Sequence, residues 1–507
     1  MDLMTGPSPL APRQATNPAA AGSPEGVAPP TDRYQHPLAQ RYASRAMEAV
    51  FAPAFRFGTW RRLWLALAQA QAELGLPIPT EALEEMRGAL DRLDLAKAAE
   101  YERRFRHDVM AHVHLFGDDA PAARGIIHLG ATSAFIGDNT DLIQHRRALR
   151  LVRARLLRCV RALAAFAREW RDLPTLGYTH FQPAQPTTVG KRATLWIQDL
   201  LLDVEELDFR LATLRFRGVR GTTGTQASFL ELFQGDHGKV ERLDALVGER
   251  MGFPRSYGVS GQTYPRKVDA ACLATLAGVA ASTSKMAHDL RLLAHLREVE
   301  EPFEAEQIGS SAMPYKRNPM RAERISALAR HVITLAQDPA FTAATQWLER
   351  TLDDSANRRL STPDAYLTTD AILVLLENVS SGLIVNPAVV RRNLERELPF
   401  MATETILMQA VARGGDRQQL HEGIRRHAMA AAGRIKAGEE GDLLDRIAGD
   451  PGFPVIREEL DGWMDPRRFV GRAPEQVDRF LAEWVEPALE RVDDEADAAL
   501  GEPDVRV

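Results

Sequence analysis

Residues 308–320 read IGSSAMPYKRNPM and set two hydroxyls, Ser310 and Ser311, close in sequence to the cations Lys316 and Arg317. Pro314 and Pro319 bias Met313 and Asn318 away from helical dihedrals, which predicts a loop between them. Asn318 is then expected to cap a helix with Pro319 at its first position. Ile325, Leu328, Val332 and Leu335 continue that helix at the right spacing. Such a helix start presents free amides and a positive dipole end, and anions favour that place. A capped surface loop has similar composition, and Lys316 separates the two readings, because the chain otherwise carries its positive charge mainly on arginine.

Four further polar segments interrupt apolar stretches. His180 lies in LGYTHFQPAQP, residues 176–186, where prolines oppose helix and polar neighbours suit a positioned general acid or base. Arg106, His107 and Asp108 open RHDVMAHVH, in which His112 and His114 are two residues apart and so point to different helix faces, against a metal pair. Residues 130–139, GATSAFIGDN, bring Thr132 and Ser133 to the start of a long periodic run as turn or cap residues. A dense polar cluster, RTLDDSANRR, follows at 350–359. The chain contains no Walker loop, dinucleotide fingerprint, HExxH or nucleophile elbow. What remains is a cofactor-free, metal-free site of His, Ser, Lys and Arg, suited to proton transfer around an anionic substrate.

The elements that must position these residues are helical. Leu142, Leu149, Leu156, Leu163 and Trp170 recur every seven residues from Thr140 to Trp170. A second helix is expected from Thr187 to Phe216, and a third from about Arg266 to Glu300. At ~30 residues each they reach roughly 45 Å and imply an elongated bundle. Apolar residues off the main seam, Leu195, Ile197 and Leu201 beside Trp196 and Leu200, call for burial on several faces and hence for association between subunits. Residues 1–30, rich in Pro, Ala, Gly and Ser, read as a disordered tail, and the acidic end after about Glu495 is expected to fray. A net charge of -6 argues against nucleic-acid or polybasic membrane partners. Two cysteines outside any metal motif, no membrane-length apolar run and no signal-like start point to a soluble cytoplasmic protein.

Taken together, these motifs resemble the fumarase/aspartase superfamily. GSSxMPxKxNP is matched without departure from Gly309 to Pro319. Within the superfamily, RYAS at 41–44, RHDVMAHVH, GATS, TLGYTHFQPAQ, RGTTGTQASF, GQTYPRKVD and RTLDDSANRR are similar to the adenylosuccinate lyase family, and the likeness runs from about residue 40 to 475. The resemblance implies an all-α subunit of three domains with a long central helical bundle. They are expected at 31–132, 133–385 and 386–507, behind the tail. It also implies a homotetramer whose active sites are each built from three subunits. The implied reaction is β-elimination of fumarate from an anionic nucleotide, adenylosuccinate or succinylaminoimidazole carboxamide ribotide, in purine biosynthesis. By the same resemblance Ser310 is the base, His180 the general acid, and Lys316 with Asn318 holds an aci-carboxylate dianion. Arg41, Tyr42, Arg106, His107, Asp108, Thr132, Ser133, Gln262, Arg324, Arg350, Ser355 and Arg359 match substrate-binding positions, and the Ser310 loop is expected to close over substrate. A sister lyase acting on argininosuccinate, or a homologue without chemistry, is the alternative.

Overall fold

Leu142, Leu149, Leu156 and Leu163 are all fully buried, which is what the heptad pattern requires of a helix packed on several sides. In the computed structural model, which describes residues 34–304, 306–502 and 505, they lie on helix α1, Ser133–Glu169, 37 residues long. Four more helices complete a bundle: α2, Val189–Thr213; α3, Lys267–His295; α4, Met320–Leu335; and α5, Asp354–Ser381. α1 packs on α2 and α5, α3 packs on α2 and α4, and α4 packs on α5, so the five close a ring. A single apolar core joins this bundle to Trp60, Leu63 and Trp64 of the helix Pro53–Glu73. Ile406, Leu420, Phe453 and Leu460 form a second, separate core. The chain divides into the units Met1–His36 and Pro37–Val507. The tail expected at 1–30 lies outside the described residues.

The expectation at the start of α1 was too short by seven residues, since GATSAFIGDN was read as a turn and the helix begins at Ser133. Its polar residues serve distant partners instead of local turns. Asn139 donates through Nδ2 to the Gly218 carbonyl at 3.2 Å and accepts the Arg217 amide at 3.0 Å, while Asp138 accepts the Tyr264 amide at 2.8 Å.

Two other expectations are corrected. Residues 494–500 form a helix rather than a frayed end, with Ala496 and Leu500 buried. Acidic residues in its first turn suit the helix dipole, and Asp493, Glu495 and Asp497 pair with Arg150, Arg147 and Arg158 of α1 at 2.5–2.8 Å. Asn318 does not cap α4, which starts at Met320. Its side chain turns back to donate to the Gly309 carbonyl at 2.7 Å. The buried carboxylate of Glu301 takes the capping role from outside the helix, accepting the amides of Arg321 and Ala322 at 3.0 Å each. The anion expected at this helix start is therefore a side chain of the protein itself.

Strands occur only as short pairs among the described residues. β1, Pro174–Thr179, and β2, Gln182–Thr188, form an antiparallel hairpin before α2. Val299–Glu300 pairs with Ile384–Val385 and fixes where the chain leaves for the Ser310 loop.

Candidate active site

The chain reverses at Arg106, which takes a left-handed conformation (φ 54°) between the helices Leu95–Phe105 and Asp108–Asp119. His107 caps the second of these, its Nδ1 accepting the Met110 amide at 3.4 Å. Its Nε2 faces Ser133 Oγ at 3.5 Å. Asp108 stands 3.6 Å from the Arg359 guanidinium, and Arg350 donates to Gln262 Oε1 at 2.6 Å. Arg106, His107, Asp108, Ser133, Arg350, Ser355 and Arg359 all line one cleft of about 630 Å³, with Gln262 joined to it through Arg350. Thr132 immediately precedes α1 in extended backbone, with no capping bond from its side chain. A rim carrying Arg106, Arg350 and Arg359 favours an anion, and Asp108 and Gln262 hold two of these guanidinium groups in place.

The other predicted residues lie elsewhere. Arg41 and Tyr42 sit in a short helical turn, Leu38–Tyr42, with the Arg324 guanidinium 5.4 Å above the Tyr42 ring. They border Ala371 of α5, sixteen positions along that helix from Ser355 and so roughly 24 Å away. His180 and Phe181 are the two central residues of the β1–β2 turn, at φ 53° and 56°. Two left-handed residues define a type I′ turn, normally built with Asn and Gly. A His-Phe pair there carries about 1–2 kcal/mol of strain per residue. The turn lifts His180 into solvent on the tip of the hairpin. Ser310, Lys316 and Asn318 share one loop, in which Ser310 Oγ accepts the amides of Met313 at 3.1 Å and Ala312 at 3.4 Å.

The family model described as Lyase matches residues 63–334, and that described as Adenylosuccinate lyase C-terminus matches residues 399–480. The adenylosuccinate lyase of Saccharomyces cerevisiae is 55% identical over 466 residues, which cover 91% of this chain and 97% of that protein. That of Schizosaccharomyces pombe is 51% identical over 460 residues, covering 90% and 95%. The chain belongs to the adenylosuccinate lyase family. Among solved structures, a fumarate lyase from Mesorhizobium sp. BNC1 superposes with a TM-score of 0.75 at 25% identity, covering 88% of this chain and 99% of that one. A 3-carboxy-cis,cis-muconate lactonizing enzyme from Pseudomonas putida shares the fold, with a TM-score of 0.77 at 24% identity over 90% and 100% of the two chains.

In this member of the adenylosuccinate lyase family the cleft also has a floor that the motifs did not reveal. Asp138, Asp141 and His145, spaced along one face of α1, line it together with Arg266, Asp354 and Arg358. Their helical spacing was the available signal. Arg266 donates to Asp354 at 2.6 Å and to Asp138 at 3.1 Å. Arg358 donates to Asp269 at 2.6 Å and to Asp141 at 3.0 Å. Asp269, fully buried, also accepts from Tyr264 at 2.6 Å and faces His145 Nε2 at 3.1 Å. Burial opposes charge on His145, but Cys272 and the Asp269 carboxylate outweigh it and push the imidazole up to about 10. Burial likewise opposes charge on Asp269, and Arg358 and His145 more than offset it, holding the carboxyl far below its usual range. Three cationic groups thus sit among four carboxylates, and a floor so nearly neutralised leaves the arginine rim to set the local potential. His112, by contrast, is buried and stacked 3.9 Å from Phe57, and burial pushes it down to about 4. It is a neutral core residue.

Proposed function

We propose that this protein is an adenylosuccinate lyase that eliminates fumarate from adenylosuccinate to leave AMP, and from succinylaminoimidazole carboxamide ribotide to leave its carboxamide. The observation that carries this reading is the arginine-rimmed cleft of about 630 Å³, in a chain that also presents the Ser310 loop and His180 on exposed elements. Ser310, as alkoxide, removes a proton from the carbon beside a succinyl carboxylate and generates an aci-carboxylate dianion. The two amides donated to its Oγ and the nearby Lys316 support that ionisation. Lys316 and Asn318 hold the dianion. As it collapses, the C–N bond breaks with its electron pair on nitrogen, and His180 protonates the departing amine. Arg106, His107, Asp108, Thr132, Ser133, Gln262, Arg350, Ser355 and Arg359 bind one part of the substrate, and Arg41, Tyr42 and Arg324 bind from another subunit.

Each active site is completed by three subunits of a homotetramer. Leu195, Leu202 and Phe209, seven residues apart on α2, are 50–57% exposed in the single chain, and such an apolar stripe calls for burial against a copy of itself. Among the described residues no helix is long and apolar enough to cross a membrane. The two cysteines are buried and free, in keeping with a reducing cytoplasm. Separate incubations with adenylosuccinate, argininosuccinate and malate, followed by assay of fumarate, test the assignment. Fumarate is expected from adenylosuccinate alone, and its absence there refutes the proposal.

A further inference from the structure

The loop that carries Ser310 is exposed at its apex, where Tyr315 is 83% accessible, yet tightly organised at its stem. Arg317 lies over the Phe303 ring at 5.1 Å and 3.7 Å from Glu300. Gly309 crosses the returning strand so closely that a Cβ on it would lie 2.1 Å from the Lys316 carbonyl oxygen and 3.2 Å from Phe303. Asn318 ties down the Gly309 carbonyl. This crossing brings the backbone beside Ser310 against that of Lys316. One buried group anchors both strands of the stem. Glu301, 7% exposed, stands at the outgoing end and accepts the amides of Arg321 and Ala322 just past the returning end. Arg321 answers by donating to the Pro302 carbonyl at 2.5 Å and pairing with Glu304.

We infer that Glu301 is a positioning residue for the elimination: by occupying the amides at the start of α4 it locks the stem crossing that sets Ser310 beside Lys316. A hydroxyl base gains its acidity from groups placed to within fractions of an ångström, so slack at the stem is felt in the chemical step. Glu301 also fills the place where a substrate carboxylate would otherwise meet the helix dipole. The dianion is then left to Lys316 and Asn318.

This inference rests on the proposed elimination, and its test has one arm that does not. Full-length wild type, Glu301→Gln and Glu301→Ala are compared for kcat and KM in fumarate release from adenylosuccinate, for AMP affinity by calorimetry, and for amide hydrogen exchange over 306–322. Glu301→Ala is expected to lower kcat by roughly a hundredfold, and Glu301→Gln, which keeps one accepting oxygen, by roughly tenfold. AMP affinity stays within about twofold, because the cleft that binds it is built from other segments. Exchange at Ala322 and across 309–317 accelerates in both variants. A purely structural role would instead lower the folded fraction while leaving kcat per folded site unchanged, and that result overturns the inference. If Glu301→Ala does not fold, unchanged kcat and unchanged exchange in Glu301→Gln overturn it equally. A wild type that releases no fumarate defeats the proposed function, and the exchange arm still decides whether Glu301 holds the stem.

Discussion

The cleft and the Ser310 loop differ in how much of their chemistry one chain completes. In the cleft, Arg266 and Asp354 are almost fully buried and paired with each other, Arg358 is held by the buried Asp269, and the rim arginines Arg350 and Arg359 already have partners in Gln262 and Asp108. The loop and the His180 hairpin are the reverse, with Lys316 and His180 exposed on the tips of short irregular elements. The anion-favouring groups of the cleft are thus held by partners within the chain, whereas the proposed acid and base stand where another surface must meet them. Water exclusion, which a serine base requires, has to come from closure or association.

The sharpest way to break this contrast is to remove the groups on the tips. His180→Ala and Ser310→Ala should each lower kcat by about 10²–10⁴-fold with AMP affinity nearly unchanged, as calorimetry beside fumarate release will report. Loss in Ser311→Ala with retention in Ser310→Ala would move the base by one residue. Mixing the two inactive proteins under conditions that exchange subunits should restore part of the activity, and no recovery would argue that each site belongs to one chain. In the cleft, Arg359→Ala should instead raise KM by about 10- to 100-fold through loss of a charge-assisted contact, with a smaller change in kcat. On the α2 stripe, Leu202→Asp should give smaller assemblies by sedimentation and inactive protein that remains helical by circular dichroism.

The smallest expected effect concerns pH and the cleft floor. His145 is raised from 6.5 to about 10, so its charge stabilises the fold fully below its unfolded value and loses that effect as pH rises through about 10. His145→Gln should therefore be less stable than wild type at pH 7, by on the order of 3 kcal/mol, with the gap narrowing toward pH 10. Thermal melts at pH 7, 9 and 10.5 measure this, and a gap independent of pH would show that His145 acts through packing alone.

The bundle was legible because α1, α2 and α3 bury residues at heptad or three-four spacing, a pattern that depends only on neighbours along the chain. The β1–β2 hairpin was not, since His180 and Phe181 carry no turn signal and adopt left-handed dihedrals only under constraint from their surroundings. The same applies to Asp138 and Asn139, which read as turn residues until their partners at Tyr264, Arg266 and Gly218 are known. Motifs singled out the Arg106 and Arg350 segments, and the fold brings both to the rim of one cleft. They could not place Arg41, Tyr42 and Arg324 away from it, or reveal Glu301, whose role depends on a helix that begins nineteen residues later.

The arginine row of α1 has a consequence for synthesis. Arg150 precedes its partner Asp493 by 343 residues, and at ribosomal rates of ~5–20 residues per second that separation is about 17–70 s. For that interval the carboxylates that pair with Arg147 and Arg150 do not yet exist, and the apolar surface beneath residues 496–500 stays uncovered. This flank of the central helix is therefore covered last, after every other element packed on it has been made.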